Sequence, residues 1–410
     1  MIAYLIVGLI IIMFALDLVF SLLNYNYRKN PIPENVNDIY DQEQYSKWLN
    51  YTMETMRFGL IKKTLNTAIM LVLLIAGFFG TLEGWTTSWM SSPTLQTLVF
   101  LGIIIVGTSI INIPFDYYAT FVIEEKYEFN KTKKKTFYID LFKNLLVTIV
   151  LIGGLIALIS FLYITFVDHL WLFVLTAWVA LVIIIILMFI LTTKVFVKLF
   201  NKLSPLPEGE LRTKIEALAT QVGFQVKAIS IMDASKRSTK LNAFFSGLGK
   251  TREVVLYDTL VEKLSEDEIL AVLAHELGHA MHKDAPKMIL QRAFIFGIYA
   301  LILGLIMQSA SLGTAFGLSG IHLGFGLILF SILIEPLDFL LGIPLNYLSR
   351  KAEYAADSFS TKYVDKKHMI SALRILVKEN YANLNPHPLF ILLHYSHPAA
   401  SERLGAIEKL

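Results

Sequence analysis

The sequence predicts a mainly α, polytopic membrane protein, with about seven transmembrane helices and a small α+β domain set among them. Three observations carry that expectation. Apolar residues make up 55% of the chain and charged residues 17%, against roughly 25% charged in ordinary soluble proteins. Seven segments match or approach the roughly 20 apolar residues that a helix needs to cross a bilayer. The long stretch between the fifth and the sixth, by contrast, has the mixed polar pattern of a water-exposed fold.

The spans fall at 1–23, 64–82, 95–123, 141–167, 170–191, 289–312 and 321–345. The first lacks a small-residue cleavage site and is read as a retained span, not a signal peptide. Lys and Arg set the orientation, because they accumulate on the cytoplasmic side. Residues 24–63 carry Arg28, Lys29, Lys47, Arg57, Lys62 and Lys63, and residues 124–143 carry six lysines. The alternate loops hold little beyond Glu83, Asp168 with His169, and His322. The N-terminus is therefore expected outside, with the interior domain and the C-terminus in the cytoplasm. The chain divides into a five-span region (1–200), the domain (201–288), two further spans (289–346) and a C-terminal helical region (347–410). Asp17 falls near a span end. Asp116, Glu335 and Asp338 either line a wet cavity or mark span ends, since an intramembrane carboxylate needs water or a partner.

Composition also excludes. A net charge of +3 is too small to suggest nucleic acid, and the lipid bilayer is the partner that the apolar residues demand. There are no cysteines, so disulfides and thiolate metal ligands are both ruled out. Any metal site must use His and carboxylate.

Residues 265–284 supply such a site. Ser265 with Glu268 is a capping box, and Ile269, Leu270, Val272, Leu273, Leu277 and Met281 form the apolar face of a helix. His275 and His279, four apart, project from one side of it. Two imidazoles so placed can share one zinc ion, and Glu276 can reach an activated water without ligating the metal. That is the mechanical content of H-E-x-x-H. The bland alternative is a solvated helix face. Ala274 and Gly278 allow close approach by a neighbouring element. His282 is read as a surface or supporting residue, not a ligand.

A catalytic zinc wants a third protein ligand and an open fourth position. Glu353 and Asp357, four apart on a helix leaving the last span, offer two carboxylates. One can ligate, and the other can accept a hydrogen bond from a ligand imidazole. The alternative is a charged helix with Arg350 and Lys351 as partners. Upstream, 225–232, 241–247 and 252–257 are rich in strand formers, with a turn marked by Gly247 and Gly249. A sheet beside the zinc helix could bind an extended peptide as an added strand, with Asn242, Ala243 and Phe244 presenting backbone to it. An ordinary hairpin covering the helix is the other reading. In the tail, His397 and Arg403 could stabilise an oxyanion, or be incidental.

Taken in order, Leu-Asn-Ala-Phe-Phe-Ser-Gly (241–247), Val-Leu-Tyr-Asp-Thr-Leu (255–260), Leu-Ala-His-Glu-Leu-Gly-His (273–279), Glu-Tyr-Ala-Ala-Asp (353–357) and His-Pro (397–398) resemble the type 1 CAAX prenyl protease family. The resemblance extends to Ile-Glu-Glu-Lys-Tyr-Glu-Phe-Asn (123–130) and to 33–51, and so covers most of the chain. It implies seven spans around a water-filled internal chamber, capped by a zinc metalloprotease domain. It implies one Zn²⁺ per chain, held by His275, His279 and Glu353, with Glu276 as general base. Asp357 would orient a ligand imidazole. Asn242, His397 and Arg403 would contact substrate or transition state. The substrates it implies are peptides or proteins ending in prenylated CAAX sequences. After His279, however, Ala-Met-His-Lys-Asp is closer to the related stress-induced membrane zinc proteases. That leaves clearance of damaged membrane proteins as a second expected task. A seven-span scaffold or carrier with structural zinc is a third.

Overall fold

In the computed structural model, residues 1–246 and 253–410 are described. The turn expected at Gly247 and Gly249 lies outside them. Among the described residues, seven helical stretches are long and apolar enough to cross a membrane. They are α1 (Ile2–Tyr27), α2 (Gln42–Ile75), α4 (Pro93–Tyr118) with a wide turn continuing to Glu124, α5 (Lys134–Thr148) continuing into α6 (Gly154–Thr165), α7 (Leu170–Leu191), α12 (Asp284–Met307) and α14 (Leu323–Ser360). Shorter helices α3 (Phe78–Trp89) and α13 (Ala310–Thr314) sit at one end of the spans.

The second span departs most from expectation. Its helix begins at Gln42, not at 64, because Asp41 and Gln44 form a capping box there. It stops at Ile75, and Gly77 follows at φ +68, where a side chain would be strained. The residues taken as the end of that span belong to α3. Much of the basic segment before residue 64 is thus a helical extension of the span, not a loop.

The spans contact one another in chain order. α1 meets α2, α2 meets the wide turn after α4, α4 meets α6, α6 meets α7, α7 meets α12, α12 meets α14, and α14 returns to α1. This is a closed ring, and between 6% and 33% of each span's apolar window is buried. One end is shut by an aromatic cluster of Phe79, Phe100, Phe316 and Phe325. There Glu83 accepts hydrogen bonds from the Ser319 N–H at 2.8 Å and its hydroxyl at 3.0 Å. The polar residues of the spans join neighbouring helices: Lys63 pairs with Asp17 at 2.6 Å and Lys62 with Asp116 at 2.7 Å, and the Tyr299 hydroxyl donates to Asp338.

The other end carries the α+β domain. After α8 (Lys198–Phe200), four strands form a sheet in the order β1-β2-β4-β3: β1 (Leu203–Pro205), β2 (Ala228–Met232), β3 (Ala243–Ser246) and β4 (Glu253–Tyr257). β2 and β4 are parallel and the outer pairings antiparallel. The sequence anticipated β2, β3 and β4 but not β1, which is too short to carry an alternating pattern. α9 (Glu210–Val222), α10 (Asp258–Lys263) and α11 (Glu266–Met281) pack on the sheet through Leu218, Val254, Leu256, Leu260, Ile269 and Leu273. α15 (Lys366–Glu379), α16 (Pro388–His394) and α17 (Ala400–Glu408) close around it. A second core of Val36, Trp48, Met369, Leu373, Leu404 and Ile407 ties the 33–51 region to this C-terminal part.

Candidate metal centre

The capping box read from sequence is formed: Ser265 Oγ accepts from the Glu268 N–H, and Glu268 Oε2 accepts from the Ser265 N–H at 2.8 Å. It fixes where α11 starts, and hence which way His275 and His279 point. α11 lies hard against α14. A Cβ on Gly278 would stand 3.0 Å from the Ala356 Cα, so any larger residue would have to push the two helices apart by a few tenths of an ångström. The Ser360 hydroxyl donates to the Ala271 carbonyl at 2.8 Å and locks the two helices in register. α14 is a single helix from the ring's closed end through Ser360, so it runs unbroken across the expected boundary at 346 and 347. It thereby delivers Glu353 and Asp357 to the histidines.

Which carboxylate stands where is now defined. His275 Nε2 lies 3.5 Å from Glu353 Oε2, and His279 Nε2 lies 3.3 Å from Glu353 Oε1. Asp357 Oδ1 lies 2.8 Å from His275 Nδ1. Asp284 Oδ2 lies 2.9 Å from His279 Nδ1. Each imidazole thus has one nitrogen committed to an aspartate and the other turned toward Glu353. Arg350 and Lys351 are not the partners of Glu353; Arg350 donates to the Ile391 and Tyr395 carbonyls at 3.0 and 2.6 Å.

The donor set fits zinc. Tetrahedral Zn²⁺ with bonds of about 2.0–2.1 Å keeps its ligand atoms about 3.3–3.4 Å apart, close to the two His–Glu353 separations. The ligand atoms of His275, His279 and Glu353 all lie within 4.8 Å of one another. Glu353 Oε2 is buried without a hydrogen-bond partner, although His397 Nδ1 stands 3.0 Å away, poorly aligned for one. A buried carboxylate oxygen so placed needs positive charge beside it, of which Arg403 Nη1 at 3.4 Å supplies part. The imidazoles are tuned the same way. Burial opposes charging His279, yet hydrogen bonds to Glu353 and Asp284 outweigh it and raise its pKa to about 9. His275 is likewise raised, with Asp357 and Glu353 overcoming burial. The surroundings favour positive charge between these three side chains.

A cavity of about 310 Å³ opens onto the centre, lined by Asn242, Ala243, His275, Glu276, His279, Glu353, His397 and Arg403 among others. Sequence-predicted residues from four separate elements therefore meet on one cavity. Glu276 lies on its wall, and burial pushes its carboxyl above the usual carboxylate range. Arg403 grips Asp357 with Nε at 2.9 Å and Nη2 at 2.6 Å, leaving Nη1 toward Glu353 at 3.4 Å. Much of its charge is thus spent on the aspartate that orients His275. Phe244 does not line the cavity; its side chain packs on the other face of the sheet beside Val255 and Tyr257. β3 is an outer strand, as an added-strand site requires. Asn242 turns its Oδ1 back to accept from the Ala243 N–H at 2.9 Å.

One placement escaped the sequence. Asp284 was read only as the end of the helical segment. It reaches His279 because Lys283 adopts φ +58 and turns the chain back on α11. His282 caps α11 and packs edge-on against Phe359, with ring centroids 5.7 Å apart.

Comparison with known proteins covers nearly the whole chain. A family model described as CAAX prenyl protease N-terminal, five membrane helices, matches residues 21–202, and one described as Peptidase family M48 matches residues 205–410. The chain is 33% identical to the CAAX prenyl protease 1 homolog of Arabidopsis thaliana, covering 98% of this chain and 96% of that one. It is 31% identical to CAAX prenyl protease 1 of Saccharomyces cerevisiae, covering 92% and 88%. The crystal structure of S. mikatae Ste24p superposes with a TM-score of 0.93 at 29% identity, over 100% of this chain and 99% of that one.

Proposed function

Because this chain belongs to the CAAX prenyl protease 1 family of M48 peptidases, and is therefore an integral-membrane metalloprotease, we propose that it is a zinc endopeptidase acting on membrane-associated peptides with lipidated, CAAX-type C-termini. The observation that carries the reading is the His275–His279–Glu353 cluster facing a cavity that also holds Glu276. His275, His279 and Glu353 would hold one zinc ion. When bound, such an ion supplies Lewis acidity toward a peptide carbonyl and activates water.

The chain's own residues do the rest. Glu276 takes the proton of the attacking water and returns it to the leaving amide nitrogen; its raised pKa brings it nearer to working pH for both tasks. Asp357 and Asp284 hold the two imidazoles with Nε2 inward. His397 and Arg403, which line the cavity, would serve as donors to the developing oxyanion, Arg403 through the Nη1 that otherwise leans toward Glu353 at 3.4 Å. A substrate strand added at β3 would displace the Asn242 side chain from the Ala243 N–H.

The prenylated substrate is supported by the two relatives described above, which are named as a CAAX prenyl protease 1 and a homolog of it. Orientation is supported by charge: the segment carrying Lys126, Lys131, Lys133, Lys134 and Lys135 lies at the domain end of the ring, where the Lys131 N–H donates to the domain's Arg237 carbonyl at 3.0 Å. By the positive-inside rule that end, with the C-terminus, is cytoplasmic.

The test is Glu276→Gln in the purified full chain. We expect one zinc per chain to remain and cleavage of a farnesylated CAAX peptide to fall by about 10²–10⁴. Undiminished cleavage at full metal content would end the proposal. Preference for an unfolded membrane protein over the lipidated peptide would keep the chemistry and reassign the task to quality control.

A further inference from the structure

The 123–130 segment stood out in the sequence, yet none of its residues touches the metal centre. Its neighbours give it a role. The chain that leads into β3, residues 237–242, lies outside the strand itself; the Asn242 carbonyl accepts from the Tyr257 N–H of β4 at 3.1 Å and the Lys240 carbonyl from the Thr259 hydroxyl at 2.9 Å, and the rest is held from outside the sheet. From the membrane side, the Thr239 N–H donates to the Phe129 carbonyl at 3.2 Å, and Asn130 and Ser238 form an isolated strand bridge. Lys240 places Nζ 3.4 Å from the Tyr51 hydroxyl and 3.7 Å from Glu124 Oε2, over the Phe129 ring at 4.8 Å. Tyr51 in turn donates to Glu124 at 2.7 Å.

From the opposite side, Asn380 at the end of α15 pairs with one residue's backbone through both ends of its amide. Its Oδ1 accepts from the Leu241 N–H at 2.9 Å, and its Nδ2 donates to the Leu241 carbonyl at 3.1 Å. A side-chain amide used in this way stands in for a missing strand. Leu241 itself is buried, so its backbone groups could not turn to water instead. The next two residues, Asn242 and Ala243, line the catalytic cavity.

We propose that Asn380, together with Lys240 through its contacts to Tyr51 and Glu124 of the membrane ring, is a positioning residue for substrate: the two fix the 240–242 backbone so that the outer edge at Ala243 meets an extended peptide in register with the metal position. Neither touches the reacting atoms. The proposal rests on the reading of β3 as the substrate edge. Backbone contacts of this kind act on ground state and transition state alike, so their loss appears in KM and not in kcat.

The experiment uses the full chain, zinc-loaded, as Asn380→Ala, Asn380→Asp and Lys240→Met. KM and kcat are measured on a farnesylated CAAX peptide. The Kd of the same peptide is also measured with each change on the Glu276→Gln background, which needs no turnover. Asn380→Ala is expected to raise KM and Kd about tenfold, with kcat and zinc content within about twofold of the parent. Asn380→Asp keeps the acceptor for the Leu241 N–H and loses the donor, so it is expected to fall between, at about threefold, as is Lys240→Met. The inference is overturned if KM and Kd stay within about twofold in the variants that fold, or if zinc content falls in step with affinity. Should Asn380→Ala not fold, the other two variants decide by the same criteria. Absence of cleavage by the parent enzyme, with the binding differences intact, would count against the proposed protease reaction and not against this positioning role.

Discussion

Within the membrane ring the buried share of a span's apolar window falls as low as 6%, whereas α11, which carries both histidines, buries nine of its sixteen residues. Some of the ring's seams carry polar pairs such as Lys62–Asp116, beside apolar clusters such as that of Phe173, Ala177, Ala300 and Leu303. The domain's helices interlock: α11 is gripped by the sheet, by α14 and by α15 at once. A wall has only to stay closed, and lipid on its outer face substitutes for packing. A metal centre has to keep its ligand atoms within about 0.2 Å of their places, and that demands dense surroundings.

The contrast predicts a gradient of sensitivity. The largest effect should come from the aspartates behind the imidazoles. Asp357→Asn and Asp284→Asn are each expected to weaken zinc binding by about 10–100-fold, read by competition with a chelator; no change in either would mean that the histidines are held by packing alone. Next come glycines. Gly278→Ala forces a Cβ to 3.0 Å from the Ala356 backbone and should cost about 1–3 kcal/mol, with loss of bound zinc. Gly102→Ala lies on a ring helix with nothing within 4 Å of the added carbon, and should leave thermal stability and zinc content as they were. Equal effects would erase the distinction between the two regions. The smallest change is expected at a seam. The pair Lys62–Asp116 is partly exposed, at 33% and 46% for the two side chains, so a double-mutant cycle with Lys62→Met and Asp116→Asn should give a coupling below about 1 kcal/mol.

The same contrast explains what the sequence disclosed. Spans announce themselves because lipid selects composition over some twenty residues at a time, and all seven were legible. The His275–Glu276–His279 helix was legible through its capping box and apolar spacing. The limits were equally physical. The charged residues of 42–63 hid a helix that begins at an ordinary N-cap and runs straight into the bilayer. From spacing alone Glu353 and Asp357 were interchangeable; only the packing of α14 on α11 turns one toward the metal position and the other toward His275 Nδ1. Asp284 was invisible because its contact with His279 depends on a residue at positive φ, which Lys283 does not advertise. The side chain of Phe244 could not be aimed without knowing which face of the sheet meets α9.

The uninterrupted course of α14 has a mechanical consequence. From Leu323 to Glu353 a helix is about 45 Å long, so one degree of tilt about its far end would carry the carboxylate roughly 0.8 Å sideways. That is several times what a metal–oxygen bond tolerates. Pro336 and Pro344 lie along this lever, and each removes a backbone hydrogen bond and loosens the rod locally. They are the points along this lever where the backbone bonding is weakest.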